Sequence, residues 1–275
     1  MKNRYLLLTS FIVTTLLLGC TKELDLGVRP LGVEEEANVV AAECKLNSVS
    51  STPATLKFDV SYDKDEVTNI PGFQSFDKFT YKNGQIVKAT SSVSSSNEVS
   101  FEYNNDKQLI SFRFKGRDGA GRPYDDISNI TYGTDGKIKE YTFRFSVFPD
   151  PVKTKFSYNA DGNISQIDRE DNGSFVPLLI NKAFDEKKSP FLDSDLGPVL
   201  SYYMIYHLLV GTDNFSQFLN KNNVTSATIY SDKGMIDWNA SYDYNSNDFP
   251  TSVSISKNIE GRIASSSAVY TYQCK

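Results

Sequence analysis

The chain has 275 residues, with 29 Lys+Arg, 34 Asp+Glu and a single His, for a formal net charge of −5. A mildly acidic chain with no basic cluster lacks the electrostatic footprint of a nucleic-acid binder, so no nucleic-acid partner is expected. One His also excludes the usual multi-histidine zinc sites and no Cys cluster replaces them, so no metal or other cofactor is expected.

The N-terminus reads as a targeting segment. Lys2 and Arg4 precede an apolar stretch, Tyr5 to Leu18, broken only by Thr9, Ser10, Thr14 and Thr15. A membrane-crossing helix needs about 20 apolar residues, and this shorter run fits the core of a signal peptide. Leu17-Leu18-Gly19-Cys20 resembles the lipobox of bacterial lipoproteins. That resemblance implies cleavage before Cys20 and lipidation of its sulfur with acyl chains such as palmitate. Two or more acyl chains hold a protein stably at a membrane where one does not. Thr21-Lys22-Glu23-Leu24-Asp25 resembles the surface-export signal of Bacteroidota lipoproteins, which implies the outer face of the outer membrane. Residues 1–19 are therefore expected to be a signal peptide and 20–43 a lipidated tether. The tether carries Gly27, Pro30, Gly32 and Glu34-Glu35-Glu36, and reads as a solvated spacer. The expected partner is a membrane, reached through the lipid on Cys20.

The mature chain would have 275 − 19 = 256 residues, enough for one large all-β domain or two small ones. Loss of Lys2 and Arg4 leaves 27 Lys+Arg against 34 Asp+Glu, or −7, so its own surface should not attract anionic lipid. Cys44 and Cys274 remain, and export leads to an oxidising compartment where disulfides persist. They are expected to pair, closing a loop of about 230 residues, for which chain-entropy models give roughly 5 kcal/mol.

From residue 44 onward one unit recurs: aromatic-x-Tyr, a polar turn, then an apolar residue. Phe156-Ser157-Tyr158-Asn159-Ala160-Asp161-Gly162-Asn163-Ile164 is the clearest copy. Others start at Phe79, Phe101, Ile130 and Tyr242, and Tyr270-Thr271-Tyr272 is a final half-copy. Residues i and i+2 of a strand share a face, so each unit lays two rings on one side. Asn-Gly and Asp-Gly supply the positive φ angles of hairpin turns. Leu56, Phe58, Val60 and Tyr62 alternate with polar residues, as do Tyr141, Phe143, Phe145 and Val147, and Ile236, Trp238, Ala240, Tyr242 and Tyr244. Such alternation predicts sheet with one buried and one wet face. The expected fold is all-β: a large twisted antiparallel β-meander, long enough to curl or close barrel-like. Barrel and open sheet both satisfy the pattern.

One segment breaks the alternation. Leu196, Val199, Leu200, Tyr203, Met204 and Leu208 follow helical spacing, with Asp195 as N-cap, Pro198 in the first turn and Gly211 as the stop. Asn214 is expected to cap a second short helix through Leu219. This helical insertion near 194–220, within the wider segment 185–223, should cover one face or one open end of the sheet.

The Tyr-Asn-x-Asp-Gly-x-Ile unit resembles the tyrosine-aspartate repeats of Rhs-type proteins, which wrap long sheets into shells. Here the copies are few and loose, with no room for a cargo domain, so the resemblance implies shared hairpin chemistry. The mature chain also resembles a family of uncharacterised Bacteroidota surface lipoproteins with Tyr-rich hairpin repeats. The likeness is carried by Asp185-Glu186-Lys187-Lys188-Ser189-Pro190-Phe191, by Leu219-Asn220-Lys221-Asn222-Asn223-Val224 and by the Tyr-x-Tyr strands that follow. Family members usually have Asn where this chain has Ser189. The resemblance implies an all-β domain at the cell surface and no particular activity.

Signals for chemistry are weak. His207 falls near the apolar face of the expected helix, where a structural role is expected, and no Gly-x-Ser-x-Gly elbow accompanies it. Paired carboxylates at Asp63/Asp65/Glu66, Asp125/Asp126, Asp168/Glu170/Asp171 and Asp193/Asp195 lie in turn-like segments, where local hydrogen bonding explains them. Most Tyr and Phe are expected in the core. The alternative is an exposed aromatic platform built from Trp238, Tyr242 and Tyr244, a surface suited to sugar rings. No catalytic residue is assigned. The expected role is a non-enzymatic binding or accessory module, with glycans as the first candidate ligand. The alternatives are a structural or adhesin-like envelope protein and a carboxylate-dependent hydrolase.

Overall fold

Polar and apolar side chains alternate along the strands, and the sheet they form closes on itself. The computed structural model describes residues 44–274 except 54–56, 64–65, 71–75, 95, 118–119, 147–149, 192–195, 209–212 and 232–233. Cys20, the signal segment and the tether lie outside the described residues, as do Asp195 and Gly211. The first strands are β1 (Cys44–Thr52), β2 (Lys57–Asp59), β3 (Ser61–Asp63), β4 (Glu66–Asn69), β5 (Lys78–Lys82), β6 (Gln85–Thr90), β7 (Glu98–Tyr103), β8 (Leu109–Arg117) and β9 (Pro123–Tyr132). They continue as β10 (Ile138–Arg144), β11 (Val152–Tyr158), β12 (Ile164–Asp171), β13 (Ser174–Lys188), β14 (Asn222–Ser231), β15 (Gly234–Tyr244), β16 (Pro250–Ile259) and β17 (Arg262–Cys274).

Each strand pairs antiparallel with the next in sequence; β2 and β3 are two ends of one interrupted strand, bonded to β1 and β4 respectively. The last strand then pairs with the first, from Cys44↔Cys274 to Thr52↔Ser267. The meander thus closes as a barrel, with its first and last strands paired to each other. The Cys44–Cys274 disulfide fastens the seam at the chain ends, across a sequence separation of 230 residues.

The pleat assigns the two faces. On β8, Phe112 and Phe114 are buried while Arg113, Lys115 and Arg117 are exposed; on β15, Ile236 and Trp238 are buried while Asn239, Ser241 and Asp243 are exposed. The outer wall carries cross-strand ion pairs such as Arg113–Asp125, Lys88–Glu98 and Lys182–Asp237. Exposed pairs contribute little stability, but they show which face is wet. A lipid-facing barrel has the reverse pattern, and Arg or Lys at the bilayer midplane costs about 2–4 kcal/mol. This wall is therefore water-facing.

Two kinds of turn join the strands. Asn83-Gly84, Asn172-Gly173 and Glu260-Gly261 have positive φ at both central residues, the two-residue geometry whose twist matches the strands. The turns at 104–108, 133–137, 159–163 and 245–249 are longer, with one left-handed residue at Lys107, Gly136, Gly162 and Asp248. The ladder slips by one residue at several of these, as a bulge requires. In three of them the Asn that follows Tyr takes a backbone N–H of the turn's far end on its side-chain oxygen: Asn104 from Gln108, Asn159 from Asn163, Asn245 from Phe249. The Tyr-Asn phrase of the repeat is the sequence trace of that bond.

The Tyr has a second task. Its hydroxyl donates to a backbone carbonyl near the start of the preceding strand: Tyr62 to Leu46 (2.7 Å), Tyr103 to Ile86 (2.6 Å), Tyr132 to Leu109 (2.8 Å) and Tyr158 to Ile138 (2.9 Å). Tyr242 to Val224 (3.2 Å) and Tyr272 to Pro250 (2.8 Å) complete the set. These six tyrosines clasp their strands to the preceding hairpin, at the barrel end where the repeat turns lie.

The insertion between β13 and β14 forms α1 (Gly197–Leu208) and a 3₁₀ helix, Phe215–Leu219, capped by Asn214 as the sequence predicts. Its packing differs from expectation. Every residue from Val199 to Met204 is buried, so α1 is covered all round rather than along one stripe. Tyr202 meets Phe112 and Phe114 of β8 edge-on, and Phe191 meets Phe218 and Tyr270. The helix packs against inward-facing side chains and fills the barrel as a plug.

Burial pushes the clasping phenols up, Tyr132 to about 12 and Tyr103, Tyr158, Tyr242 and Tyr272 further. An unfolded Tyr ionises near 10, so above that pH the unfolded state binds fewer protons than the native one. The stabilisation is complete below pH of about 10 and is lost as pH rises through the folded values. Urea midpoints should stay level from about pH 7 to 9 and drop steeply beyond about pH 10; a level midpoint through about pH 12 contradicts the clasps.

Candidate functional site

Trp238, Tyr242 and Tyr244 all point inward from β15. Trp238 is only 1% exposed, Tyr242 is a clasp, and Tyr244 donates to the Asp185 carboxylate. Four residues of strand span about 13 Å, so Trp238 stands apart from the two Tyr. The exposed platform is corrected on this point: the alternation that puts these rings on one face puts that face inside the barrel.

His207 stacks against Tyr203 and Phe215, with ring centroids 4.2 and 5.2 Å away. Burial pulls its pKa down, and nearby Asp213 opposes that. The carboxylate pairs do not converge where the structure describes them. Asp125 faces outward to Arg113, which holds its carboxyl below the usual range through a hydrogen bond. Asp126 faces the other way and accepts from Ser146, while Asp168 accepts from Gln166 and Glu170 pairs with Lys153. Adjacent strand residues point to opposite faces, which separates Asp125 from Asp126. Asp65, Asp193 and Asp195 lie outside the described residues.

Two interior features remain. The first is an amide network that fixes the plug to the wall. Asn181 of β13 donates to the Ile164 carbonyl (2.6 Å) and to Ser216 Oγ (2.9 Å), and accepts from Asn214 (2.7 Å). Asn220 accepts the Ile164 N–H (2.7 Å), and Asn163 accepts the N–H groups of Lys221 and Asn222. Asp185 accepts from the backbone and side chain of Asn223. Asn163, Asn181, Asn214, Ser216 and Asn220 are all buried, and a buried amide is stable only when its bonds are made. Sequence reasoning missed Asn163, Asn181 and Ser216. Their signal was present in part, as the Asn-rich phrase 220–223, but no spacing links it to Asn181.

The second is a recess of about 70 Å³ between the 3₁₀ helix and strands β15–β17, lined in part by Trp238, Asp213, Gln217, Ser266 and Tyr270. Lys257, opposite Trp238 in the β15–β16 ladder, lies within 2.6 Å of the Asp213 carboxylate beside it. The Nε1–H of Trp238 is buried with no hydrogen-bond partner among the described residues.

No family model matches the chain, and no curated protein matches it. Solved structures do. A porin-like protein from Bacteroides vulgatus is 12% identical, with 84% of this chain and 99% of that one covered and a TM-score of 0.54. A porin-like protein from Bacteroides uniformis is 11% identical, with 82% and 86% covered and a TM-score of 0.50. The likeness is one of fold, and it agrees with the closed antiparallel sheet.

Asn181→Ala removes the donor to Ile164 and leaves Asn214 and Ser216 short of a partner. Buried polar groups left unpaired cost about 1–3 kcal/mol each, so denaturant melts should show a loss of roughly 3 kcal/mol. A loss near zero would mean that the network does not hold the plug.

Proposed function

We propose that the protein is a non-enzymatic binding or accessory module of the cell envelope, tethered by lipid on Cys20 to the outer membrane, with glycans as its ligand. The observation that carries this reading is the polarity of the barrel. Its outer wall is charged and its interior is filled by side chains and α1. A barrel of that kind neither sits in hydrocarbon nor conducts solutes, so membrane attachment needs a separate device. The lipobox-like Leu17-Leu18-Gly19-Cys20 supplies one. A seam closed by Cys44–Cys274 suits an exported protein. The shared fold with porin-like proteins of two Bacteroides species fits a Bacteroidota envelope protein.

Two measurements test the two halves of the reading. Radiolabelled palmitate fed to expressing cells should enter the wild-type chain and not Cys20→Ser; equal labelling, or none, refutes the anchor. A thermal-shift screen against polysaccharides and oligosaccharides should give a saturable rise with one glycan class, because a ligand of the folded state raises the melting temperature by mass action. A flat response across the panel sinks the glycan-binding role.

A further inference from the structure

We propose that a trough on the outer wall of β15–β17 binds a neutral glycan chain; this rests on the glycan-binding reading and gives it a location. The ladder sets the outward side chains of these strands side by side. Ser241, Ser254 and Ser267 form one row across the three strands, and Asn239, Ser256 and Ser265 form a second. Residues two apart on a strand are about 7 Å from each other, which is the spacing of the rows. All six residues are exposed, and they line an open trough of about 600 Å³. Ligand sites commonly occupy about 300–1,000 Å³. Between the rows Ala240, Ile255 and Ser266 turn their side chains to the other face and leave backbone as the floor.

The lining differs from the rest of the wall in two ways. No charged residue takes part in it, whereas β8, β9, β11 and β12 carry outward ion pairs such as Arg113–Asp125 and Lys153–Glu170. Its side chains are also uncommitted. None of the six makes a side-chain hydrogen bond among the described residues, while their neighbours do: Ser252 to Asp243, Thr228 to Asp237 and Ser48 with Thr271. A Ser hydroxyl gives one proton and accepts two, and an Asn amide does both as well. Sugar hydroxyls have the same double character, so each can meet a partner here whichever way the proton points. Ile263 and Val269 stand exposed on the same face of β17, at either end of the Ser265–Ser267 pair, and offer apolar area to C–H groups. An ion finds no counter-charge in this lining, and a purely apolar ligand would strip water from hydroxyls without replacing it. A neutral polyhydroxylated ligand meets both conditions. Because the trough is open, it suits an internal stretch of a chain, where a closed pocket would take an end.

Native gels cast with dextran, mannan or xylan, and with polygalacturonate as the acidic comparison, read binding as retardation of the full chain relative to a gel without polysaccharide. One neutral polysaccharide is expected to retard it. Ser254→Arg puts a long cation in the middle of the trough and should abolish the retardation. Thr131→Arg, exposed on β9, adds the same bulk and charge elsewhere on the wall and should leave it unchanged. Ser256→Ala combined with Ser265→Ala removes two facing hydroxyls without adding bulk and should raise the apparent Kd about tenfold, the order of one or two hydrogen bonds. Unchanged melting temperatures in these variants separate lost binding from lost folding. Retardation that survives Ser254→Arg, or that Thr131→Arg abolishes equally, overturns the trough and leaves glycan binding standing. Retardation by polygalacturonate alone overturns the neutral ligand. No retardation in any gel beside a saturable thermal shift also overturns the trough, and no response in either measurement removes both readings.

Discussion

The hydrogen bond from a strand-end Tyr to the carbonyl of the preceding hairpin is the constraint on which the rest of the structure depends. A hairpin by itself is marginal in water, and a long meander must be told how to stack its hairpins. Tyr62, Tyr103, Tyr132, Tyr158, Tyr242 and Tyr272 each reach back one strand to do so. The ring fills the barrel end while the hydroxyl satisfies a carbonyl near the turn. Because the clasp always runs from one hairpin to the one before, repeating it advances the sheet round a curve until β17 meets β1.

The series changes at β13, and the change is informative. On β13 the donor to the first carbonyl of β12 is Asn181, not a Tyr. An amide is shorter than a phenol and carries both donors and an acceptor. It holds the Ile164 carbonyl and also Ser216 and Asn214 of the insertion. The chain leaves the wall at the end of this strand, and a Tyr in that position would offer one hydroxyl where three partners are held. The rung and the latch of the plug are therefore one residue.

The plug decides what kind of barrel this is. Burial of Val199 through Met204 on all sides of α1 fills the interior, and the charged outer wall keeps the barrel in water. Filling is incomplete beside Trp238, where the 3₁₀ helix stands away from β15–β17 and leaves the recess.

Much of the fold was legible in the chain because its determinants are local. Alternation marks strands, Asn-Gly and Tyr-Asn mark turns, and Asn214 marks the cap of the short helix; each acts within a few residues. The pairing of Cys44 with Cys274 was legible too, since setting Cys20 aside as the expected lipid site leaves two cysteines. Other features arise between residues far apart in sequence, and only the tertiary structure decided them. Periodicity placed Trp238, Tyr242 and Tyr244 on one face but not which side of the sheet that face would meet; closure turned it inward. Helical spacing identified α1 but not its burial all round, which follows from being enclosed by the barrel. Asn163, Asn181 and Asn220 looked like ordinary turn and strand residues, and became a latch because the fold brings positions 56 and 59 residues apart into hydrogen-bond range. The sequence by itself determined the hairpins and their order, because turn and pleat are short-range chemistry. The tertiary structure decided inside from outside, because that depends on which surfaces are left to meet water once the ring is closed.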